Sequence, residues 1–190
     1  KRREMIVDFC AGAGGKSLLL GALMNSQGRL YAFDVSEKRL SNMKPRFKRS
    51  GLSNLHAQRI THENDIKVRR LIGKIDRVLV DAPCSGLGTL RRNPDLKWRQ
   101  SPQSIQELTA KQTAILSAAA SLLKPGGRLV YATCSFLPEE NQEIIHHFLA
   151  THPQFTLLNC TEFLSQQKIA LNTGEFLQLS PQLHQTDGFF

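Results

Sequence analysis

The stretch Met5-Ile-Val-Asp-Phe-Cys-Ala-Gly-Ala-Gly-Gly-Lys-Ser-Leu-Leu-Leu-Gly-Ala-Leu-Met24 decides the fold class of this chain. Its apolar start, residues 5–10, predicts a strand, the glycines predict a tight turn, and residues 16–24 follow a helical pattern. Glycines let a backbone approach a ligand closely, and the first turn of a helix offers free N–H groups. The unit therefore suits a nucleotide-like cofactor, although a strand-to-helix turn without a ligand is the alternative.

Alternating strands and helices continue along the rest of the chain. We expect further strands at residues 29–33, 57–60, 76–80 and 128–132, and a short sixth strand at residues 155–158. Helices are expected from a cap at Ser36 to residue 49, at residues 64–72 and 102–123, and from Pro138 onward. This order predicts an α/β fold with a doubly wound, mostly parallel sheet flanked by helices, in which residues 1–190 form a single domain.

Length and composition fit this class of fold. The chain has 190 residues, of which 41% are hydrophobic and 22% are charged, as in globular domains with a sizeable core. No apolar run approaches the roughly 20 residues that span a bilayer, and the basic start, residues 1–3, leads into a strand carrying Asp8. We therefore expect a cytoplasmic protein with no membrane partner. Both ends look cut, because the chain starts inside a strand and stops at a turn, residues 187–190, that enters another.

Positive charge is concentrated in the first half of the chain. Of the 25 Lys and Arg residues, 21 lie within the first 100 positions beside nine Asp and Glu residues. The net charge is therefore about +12 in that part and about −3 in the remainder. A basic half beside a nearly neutral half favours a nucleic acid partner over surface charge that only solubilises.

The four cysteines, at positions 10, 84, 134 and 160, lack the spacing of zinc ligands or of a disulfide scaffold, which predicts reduced thiols and no metal. Cys84 and Cys134 each lie just past a predicted strand. Pro83 restricts the backbone before Cys84, so this cysteine is expected outside the strand. If the two strands are neighbours, the thiols converge in one cleft, which favours covalent chemistry over inert buried cysteines.

Acidic residues also follow predicted strands. Asp34 lies about 20 residues after the glycine turn, a spacing that suits contact with ribose hydroxyls. A solvated strand-end aspartate is the alternative. Asp81 ends the fourth predicted strand. Because doubly wound sheets bind ligands beyond the carboxyl ends of their strands, these acids and the cysteines at positions 10, 84 and 134 predict one functional rim.

A basic loop follows Cys84. Residues 90–99 combine four cations with the only tryptophan of the chain: Arg91, Arg92, Lys97, Arg99 and Trp98. This composition suits phosphate binding with base stacking, and we expect these residues to bind RNA. The alternative is a surface loop whose Trp98 packs into the core.

These motifs resemble those of the bacterial RNA cytosine-5 methyltransferases, which act on ribosomal RNA with S-adenosylmethionine. Cys10-Ala-Gly-Ala-Gly-Gly-Lys16 looks like the family's cofactor loop, Asp81-Ala-Pro-Cys84-Ser-Gly like its Pro-Cys motif, and Thr133-Cys134-Ser like its Thr-Cys motif. The likeness covers residues 5 to about 145, and Asp187-Gly-Phe-Phe190 is similar to the entry of the family's last strand. It implies a Rossmann-like class I methyltransferase fold and S-adenosylmethionine as cofactor. The implied cofactor contacts are Cys10, Ala11, Gly12, Ala13, Gly14, Gly15, Lys16, Asp34 and Asp81.

The resemblance also implies different roles for the two thiols. A thiolate added to C6 of cytosine makes C5 nucleophilic enough to accept a methyl group. The Pro-Cys cysteine attacks in DNA cytosine methyltransferases and the Thr-Cys cysteine in the RNA family, so Cys134 is the expected nucleophile and Cys84 helps to resolve the adduct. Asp81 is expected to hydrogen-bond N3 of a cytosine that has left its stack.

Two departures from the family pattern limit what carries over. The glycine loop lacks the proline of the family's Ala-Pro-Gly-Gly-Lys, and no acid evidently ends the third predicted strand, where Glu63 or Asp65 would substitute only with a shifted loop. The adenine contact is therefore unassigned. The alternatives are a non-catalytic RNA-binding scaffold, a nicotinamide-dependent oxidoreductase, and methylation of transfer RNA instead of ribosomal RNA. We expect a monomer, with further RNA-binding segments in the full-length protein.

Overall fold

The computed structural model describes residues 3–171 and 173–190. Lys1 and Arg2, which belong to the predicted basic start, lie outside the described residues. The strands are β1 (Met5–Asp8), β2 (Arg29–Asp34), β3 (Leu55–Arg59), β4 (Ile75–Asp81) and β5 (Leu123–Ala132). The helices are α1 (Gly15–Leu23), α2 (Glu37–Ser50), α3 (Ile66–Arg69), α4 (Leu96–Arg99), α5 (Pro102–Ser121), α6 (Gln142–Thr151), α7 (Cys160–Gln166) and α8 (Pro181–His184).

The five strands form one sheet in the order β3-β2-β1-β4-β5. β1 pairs in parallel with β2 and with β4, and β2 pairs in parallel with β3. Strand order reverses between β1 and β4, as in other doubly wound sheets, where ligands bind near this switch. The predicted α/β class is confirmed, and β4 and β5 are neighbours as the convergence of the two cysteines requires.

The chain forms two compact units. The glycine-loop unit contains the chain up to Ala82 together with Ala114–Tyr131, and the cysteine unit contains Pro83–Thr113 and Ala132–Phe190. The sequence gives the first unit 19 Lys and Arg residues against eight Asp and Glu, and the second unit six against eight. The prediction of a single catalytic domain over residues 1–190 stays a prediction.

The core of the glycine-loop unit explains why its elements form where the sequence predicts them. Val7 on β1 and Phe33 on β2 are fully buried, and Phe33 meets the ring of Phe9 edge-on at 6.1 Å. α2 buries Leu40 and Met43 against this sheet and leaves five of its six basic residues exposed, with Arg46 half-buried. Its first turn is capped by Ser36, whose hydroxyl accepts a hydrogen bond from Arg39 N at 3.3 Å.

Two expectations about local structure are wrong. Residues 155–158 form no strand, since Leu157 and Leu158 are exposed and Phe155 packs its ring against Phe148 at 5.2 Å. The helix predicted at residues 64–72 is shortened to α3. The predicted basic loop contains α4, and α7 and α8 were not predicted from the sequence.

The C-terminal turn does enter an extended segment. Phe190 exchanges two backbone hydrogen bonds of 3.0 Å with Thr133, the residue before the second cysteine, and Phe189 bridges Leu179 in an antiparallel direction. Within the described part of the chain, no helix has the length and apolar character needed to cross a membrane.

Candidate active site

The glycine loop joins β1 to α1 in a conformation that depends on Gly14. This residue has a φ of 84°, and a Cβ placed there would lie 2.5 Å from the Cγ atom of Met43. Gly14, the residue before α1, makes no side-chain cap, an arrangement that suits binding of a ligand by the first-turn N–H groups. The loop therefore has the backbone geometry expected of a cofactor cradle, even without the family's proline.

Asp34, at the end of β2, holds this loop in place. Its Oδ2 atom accepts a hydrogen bond from Gly12 N at 2.9 Å, and its Oδ1 atom accepts one from Ser36 N at 2.7 Å. Because the residue is only 4% exposed, the alternative of a solvated aspartate is wrong. Arg39 Nη1 also lies 3.4 Å from Oδ2. A carboxylate has about four acceptor positions, so one position, on Oδ1, remains for a ribose hydroxyl. The ribose contact itself stays a prediction.

Lys16 and Asp81 form an ion pair beside the loop, with 2.7 Å between Lys16 Nζ and Asp81 Oδ2. Both side chains are partly exposed, so this pair can rearrange around a ligand. Both residues were expected in the cofactor pocket, and the structure brings them together; their contacts with cofactor and cytosine stay predictions.

Asp8 is a buried acid that the sequence analysis did not select. It ends β1, is fully buried, and accepts a hydrogen bond from Ser17 Oγ at 2.6 Å. Its other oxygen, Oδ1, has no hydrogen-bond partner among the described residues. Burial raises the pKa of the Asp8 carboxyl to about 6, and the charge of Asp81 adds to this effect against the hydrogen bond from Ser17. The strand-end rule that selected Asp34 and Asp81 would also have found Asp8.

The two thiols of the cysteine unit lie together, with 3.4 Å between Cys84 Sγ and Cys134 Sγ. The pKa of the Cys84 thiol is raised far above its usual value, first by its hydrogen bond with Cys134 and then by burial. Cys84 therefore keeps its proton at neutral pH and can donate it towards the Cys134 sulfur. The expected convergence of the two cysteines is thus present in the structure.

Gly88 brings the C-terminal segment against the cysteine loops. Its N–H donates to the Cys134 carbonyl at 2.9 Å, and its own carbonyl accepts a hydrogen bond from Gly188 N at 2.7 Å. A Cβ on Gly88 would clash with the Gly188 carbonyl, so only glycine permits this close approach.

A buried polar network that was not predicted from the sequence supports the Pro-Cys loop. Glu140 is fully buried; its Oε1 accepts hydrogen bonds from Ser85 N at 2.8 Å and Gln112 Nε2 at 3.0 Å, and its Oε2 accepts one from Ser85 Oγ at 2.5 Å. Gln112 Nε2 also donates to the Pro83 carbonyl at 3.0 Å. The backbone on both sides of Cys84 is therefore held by buried side chains.

The neighbouring residue, Asn141, supports the Thr-Cys loop in the same way. Its Oδ1 accepts a hydrogen bond from Thr133 Oγ1 at 2.5 Å, and its Nδ2 donates to the Ser135 carbonyl at 3.0 Å. Ser135 N in turn donates to Thr133 Oγ1 at 3.2 Å. The Pro-Glu-Glu-Asn sequence at residues 138–141 was interpreted only as a helix start; two acids and an amide directly after a Thr-Cys-Ser motif were the signal available for a further role.

The basic loop presents its aromatic side chain to solvent. Trp98, on α4, is 80% exposed, so the alternative in which it packs into the core is wrong. Lys97 Nζ lies 4.7 Å from the centroid of its ring. The three arginines are exposed but paired: Arg91 and Arg92 with Asp187, and Arg99 with Asp95 at 2.7 Å. Their binding of RNA stays a prediction.

Asp65, one of the two acids considered for the adenine contact, is committed to local structure. Its Oδ1 accepts a hydrogen bond from Lys67 N, and its Oδ2 accepts from both Thr61 N and Thr61 Oγ1, each at 2.9 Å. These bonds lower its pKa to about 2. Asp65 is thus the N-cap of α3, and the adenine contact remains unassigned.

Comparisons with known proteins agree with this fold and these motifs. The chain is 40% identical over 190 residues to the probable ribosomal RNA small subunit methyltransferase B of Synechocystis sp., and the match covers 98% of this chain and 42% of that protein. It is 36% identical over 187 residues to ribosomal RNA small subunit methyltransferase F of Cronobacter sakazakii, covering 97% of this chain and 38% of the relative. The chain thus spans about two fifths of the length of these relatives.

A solved structure shares the fold over almost the whole chain. NSun6 from Pyrococcus horikoshii, solved with SFG, superposes with a TM-score of 0.82 at 29% identity, covering 98% of this chain and 46% of that one. The doubly wound sheet with its glycine loop is therefore a class I methyltransferase fold. The family model described as 16S rRNA methyltransferase RsmB/F matches residues 1–190. The chain belongs to the RsmB/F methyltransferase family.

Proposed function

We propose that this chain is the catalytic part of an S-adenosylmethionine-dependent enzyme that methylates C5 of a cytosine in ribosomal RNA. The observation that carries the proposal is the thiol pair, in which two cysteines of different loops lie 3.4 Å apart between sulfur atoms. Membership of the RsmB/F family and relatives described as ribosomal RNA methyltransferases support the substrate class.

We assign the attack to Cys134, because Thr133-Cys134-Ser resembles the motif whose cysteine attacks in the RNA cytosine-5 methyltransferases. A thiolate is the attacking species, and the raised pKa of Cys84 keeps that thiol protonated. A protonated Cys84 can donate a hydrogen bond to the Cys134 sulfur, which lies 3.4 Å from its own. The thiolate of Cys134 adds to C6 of cytosine, and the ring electrons make C5 nucleophilic.

S-adenosylmethionine, when bound, supplies the electrophilic methyl group that C5 accepts. The residues of the glycine-loop unit fit this cofactor: the first-turn N–H groups of α1 suit its carboxylate, and Asp34 Oδ1 retains an acceptor position for a ribose hydroxyl. The proposed cofactor contacts remain Cys10 to Lys16, Asp34 and Asp81.

Loss of the proton from C5 then expels Cys134 by elimination and restores the aromatic base. In this step the C5 proton passes to solvent water, the electrons of the C5–H bond re-form the C5–C6 double bond, and the Cys134–C6 bond breaks to give back a thiolate. We assign Cys84 to this release, since its sulfur lies within hydrogen-bonding distance of the departing Cys134 sulfur. Asp81 is assigned to N3 of the ring.

The test uses RNA containing 5-fluorocytosine, which cannot lose a C5 proton and therefore traps the adduct. The full-length protein is expected to form a covalent protein–RNA complex with ribosomal RNA that depends on S-adenosylmethionine. Cys134→Ala should form none, whereas an undiminished adduct in this variant would exclude Cys134 as the nucleophile. Cys84→Ala should accumulate a complex with ordinary cytosine RNA; normal turnover without accumulation would remove its assigned role.

A second assay decides whether ribosomal or transfer RNA is the substrate. Bisulfite mapping of ribosomal and transfer RNA from cells lacking the protein should reveal a missing 5-methylcytosine in the ribosomal RNA. If 5-methylcytosine is lost from transfer RNA alone, the substrate is transfer RNA instead of ribosomal RNA. If it is lost from neither RNA, the proposed methylation of cytosine C5 is rejected. We further propose a monomer that works in the cytoplasm and uses additional RNA-binding segments of the full-length protein.

A further inference from the structure

The two cysteine loops run side by side in matching register. Cys84 faces Cys134 at 3.4 Å between sulfurs, and the next residues, Ser85 and Ser135, face each other at 3.3 Å between hydroxyl oxygens. A change in the position of either loop would therefore alter the distance between the two sulfurs.

The loops have separate supports from two consecutive residues. Glu140 binds the backbone N–H and hydroxyl of Ser85, whereas Asn141 binds Thr133 Oγ1 and the Ser135 carbonyl. Both supports are buried, with Glu140 fully inaccessible and Asn141 3% exposed. The side-chain oxygens of Glu140 and Asn141 all accept hydrogen bonds, although Gln112 Oε1 has no partner among the described residues. Displacing either loop would leave further buried groups without partners, so these hydrogen bonds favour one geometry.

We propose that Glu140 and Asn141 are positioning residues for the two thiols, Glu140 acting on release through the Cys84 loop and Asn141 acting on attack through the Cys134 loop. This inference rests on the proposed function, since it assigns the two residues to two steps of that reaction. Neither residue is required to touch the RNA or the cofactor.

A scaffold role alone would make different demands on these side chains. Apolar residues fill a core at a lower cost in free energy, because the desolvation of a buried carboxylate is only partly offset by its hydrogen bonds. The donors that Glu140 satisfies belong to the residue after Cys84 and to Gln112, which also holds the carbonyl before Cys84. The network is thus concentrated on the reactive loop.

The experiment compares Glu140→Ala, Glu140→Gln and Asn141→Ala in the full-length protein, with Glu139→Ala as the matched control. Glu139 is the adjacent acid and is exposed. Adduct formation is measured in single turnovers on 5-fluorocytosine RNA, and release is measured as accumulated complex on ordinary RNA. A misplacement of about 1 Å can slow a reaction by about 10²-fold.

Asn141→Ala is expected to slow adduct formation by about 10²-fold with little change in the KM for RNA. Glu140→Ala is expected to form the adduct within a few-fold of the normal rate but to release it about 10²-fold more slowly, as Cys84→Ala does. Glu140→Gln keeps an oxygen acceptor for Ser85 N and should restore most of the release rate. Equal losses in both steps for both variants, or rates that match Glu139→Ala, would overturn the inference.

Thiol labelling separates this inference from the proposed function. If the unaltered protein forms neither adduct nor 5-methylcytosine, the proposed function fails, yet the loops can still be tested with iodoacetamide. Cys84 should label slowly at pH 7.5 in the unaltered protein, and about tenfold faster in Glu140→Ala, because the displaced loop loses the thiol–thiol hydrogen bond. Glu140→Gln should label slowly again. Unchanged labelling of Cys84 in Glu140→Ala would overturn the positioning role.

Discussion

The glycine-loop unit and the cysteine unit build their sites by different means. In the first, a backbone turn is held by one carboxylate, Asp34, and the chemistry lies in main-chain N–H groups and strand-end acids. In the second, the reactive atoms are side-chain sulfurs, and buried side chains hold the backbone around them. Charge differs as well, since the glycine-loop unit carries 19 cations against eight acids and the cysteine unit six against eight.

This difference teaches which parts of a site tolerate substitution. A ligand bound by backbone groups depends on loop shape, so many side chains can change there if the turn survives, as the missing proline illustrates. Thiol chemistry depends on two particular atoms and on their separation. The two units should therefore respond to mutation in separable ways: cofactor affinity in one, covalent chemistry in the other.

The largest expected effect tests that separation directly. Cys134→Ala should reduce methylation by on the order of 10⁴-fold or more, because it removes the proposed nucleophile. The affinity for S-adenosylmethionine, measured by calorimetry, should stay within about twofold of the unaltered value. A matched variant, Cys160→Ala, changes a thiol on α7 and should affect neither quantity. A loss of cofactor affinity in Cys134→Ala would show that the two units do not respond to mutation separately.

Asp8 provides a test within the glycine-loop unit. Its pKa of about 6 lies above the usual 3.8, so the folded protein binds this proton more tightly than the unfolded chain does. The contribution of Asp8 to stability is therefore greatest below about pH 4 and is lost as the pH rises to about 6. Two pKa units correspond to about 3 kcal/mol, which is an upper figure for the effect.

Asp8→Asn removes this titration and keeps an oxygen acceptor for Ser17. The free energy of unfolding, measured with urea from pH 4 to pH 7, should rise relative to the unaltered protein as the pH increases. Subtracting the two curves cancels the carboxyl groups that do not interact with Asp8, and the difference reports Asp8 together with its charge coupling to Asp34 and Asp81. Parallel curves would show that the buried Asp8 does not titrate in this range.

Gly14 gives a smaller effect on stability. Gly14→Ala places a Cβ at a φ of 84° and against Met43, and should cost about 2 kcal/mol in the free energy of unfolding. The matched control is Gly15→Ala, because no atom lies within 4 Å of a Cβ built there. Thermal unfolding should show a lower Tm only for Gly14→Ala. Equal values of Tm would mean that the loop adjusts freely, and its geometry would then be no constraint on the cofactor.

The structure of the glycine-loop unit could be predicted from the sequence more fully than that of the cysteine unit. The pattern around residues 5–34 predicts the strand, turn, helix and acid almost residue by residue, because local periodicity and glycine chemistry determine them. Glu140 could not be assigned in this way, since its partners, Ser85 and Gln112, lie 55 and 28 residues away in the chain. The false strand at residues 155–158 has a similar cause: an apolar run predicts burial, but the availability of a pairing strand is not a local property.

The smallest expected effect is that of Trp98→Ala on RNA binding. Its comparison with Arg92→Ala tests whether the basic loop of the cysteine unit contacts RNA. If α4 binds RNA by stacking a base on the exposed indole, Trp98→Ala should weaken RNA binding by about tenfold, with an unchanged Tm. Leu183→Ala is the matched control, because Leu183 is an equally exposed apolar side chain, at 81% against 80% for Trp98. Binding is measured by filter retention from 50 to 300 mM salt.

Stacking does not release counterions, so Trp98→Ala should lower the affinity without changing the salt slope, whereas Arg92→Ala should reduce that slope by about one. If neither variant changes binding, the phosphate contacts belong elsewhere, and the strongly basic glycine-loop unit becomes the part of the chain to mutate next.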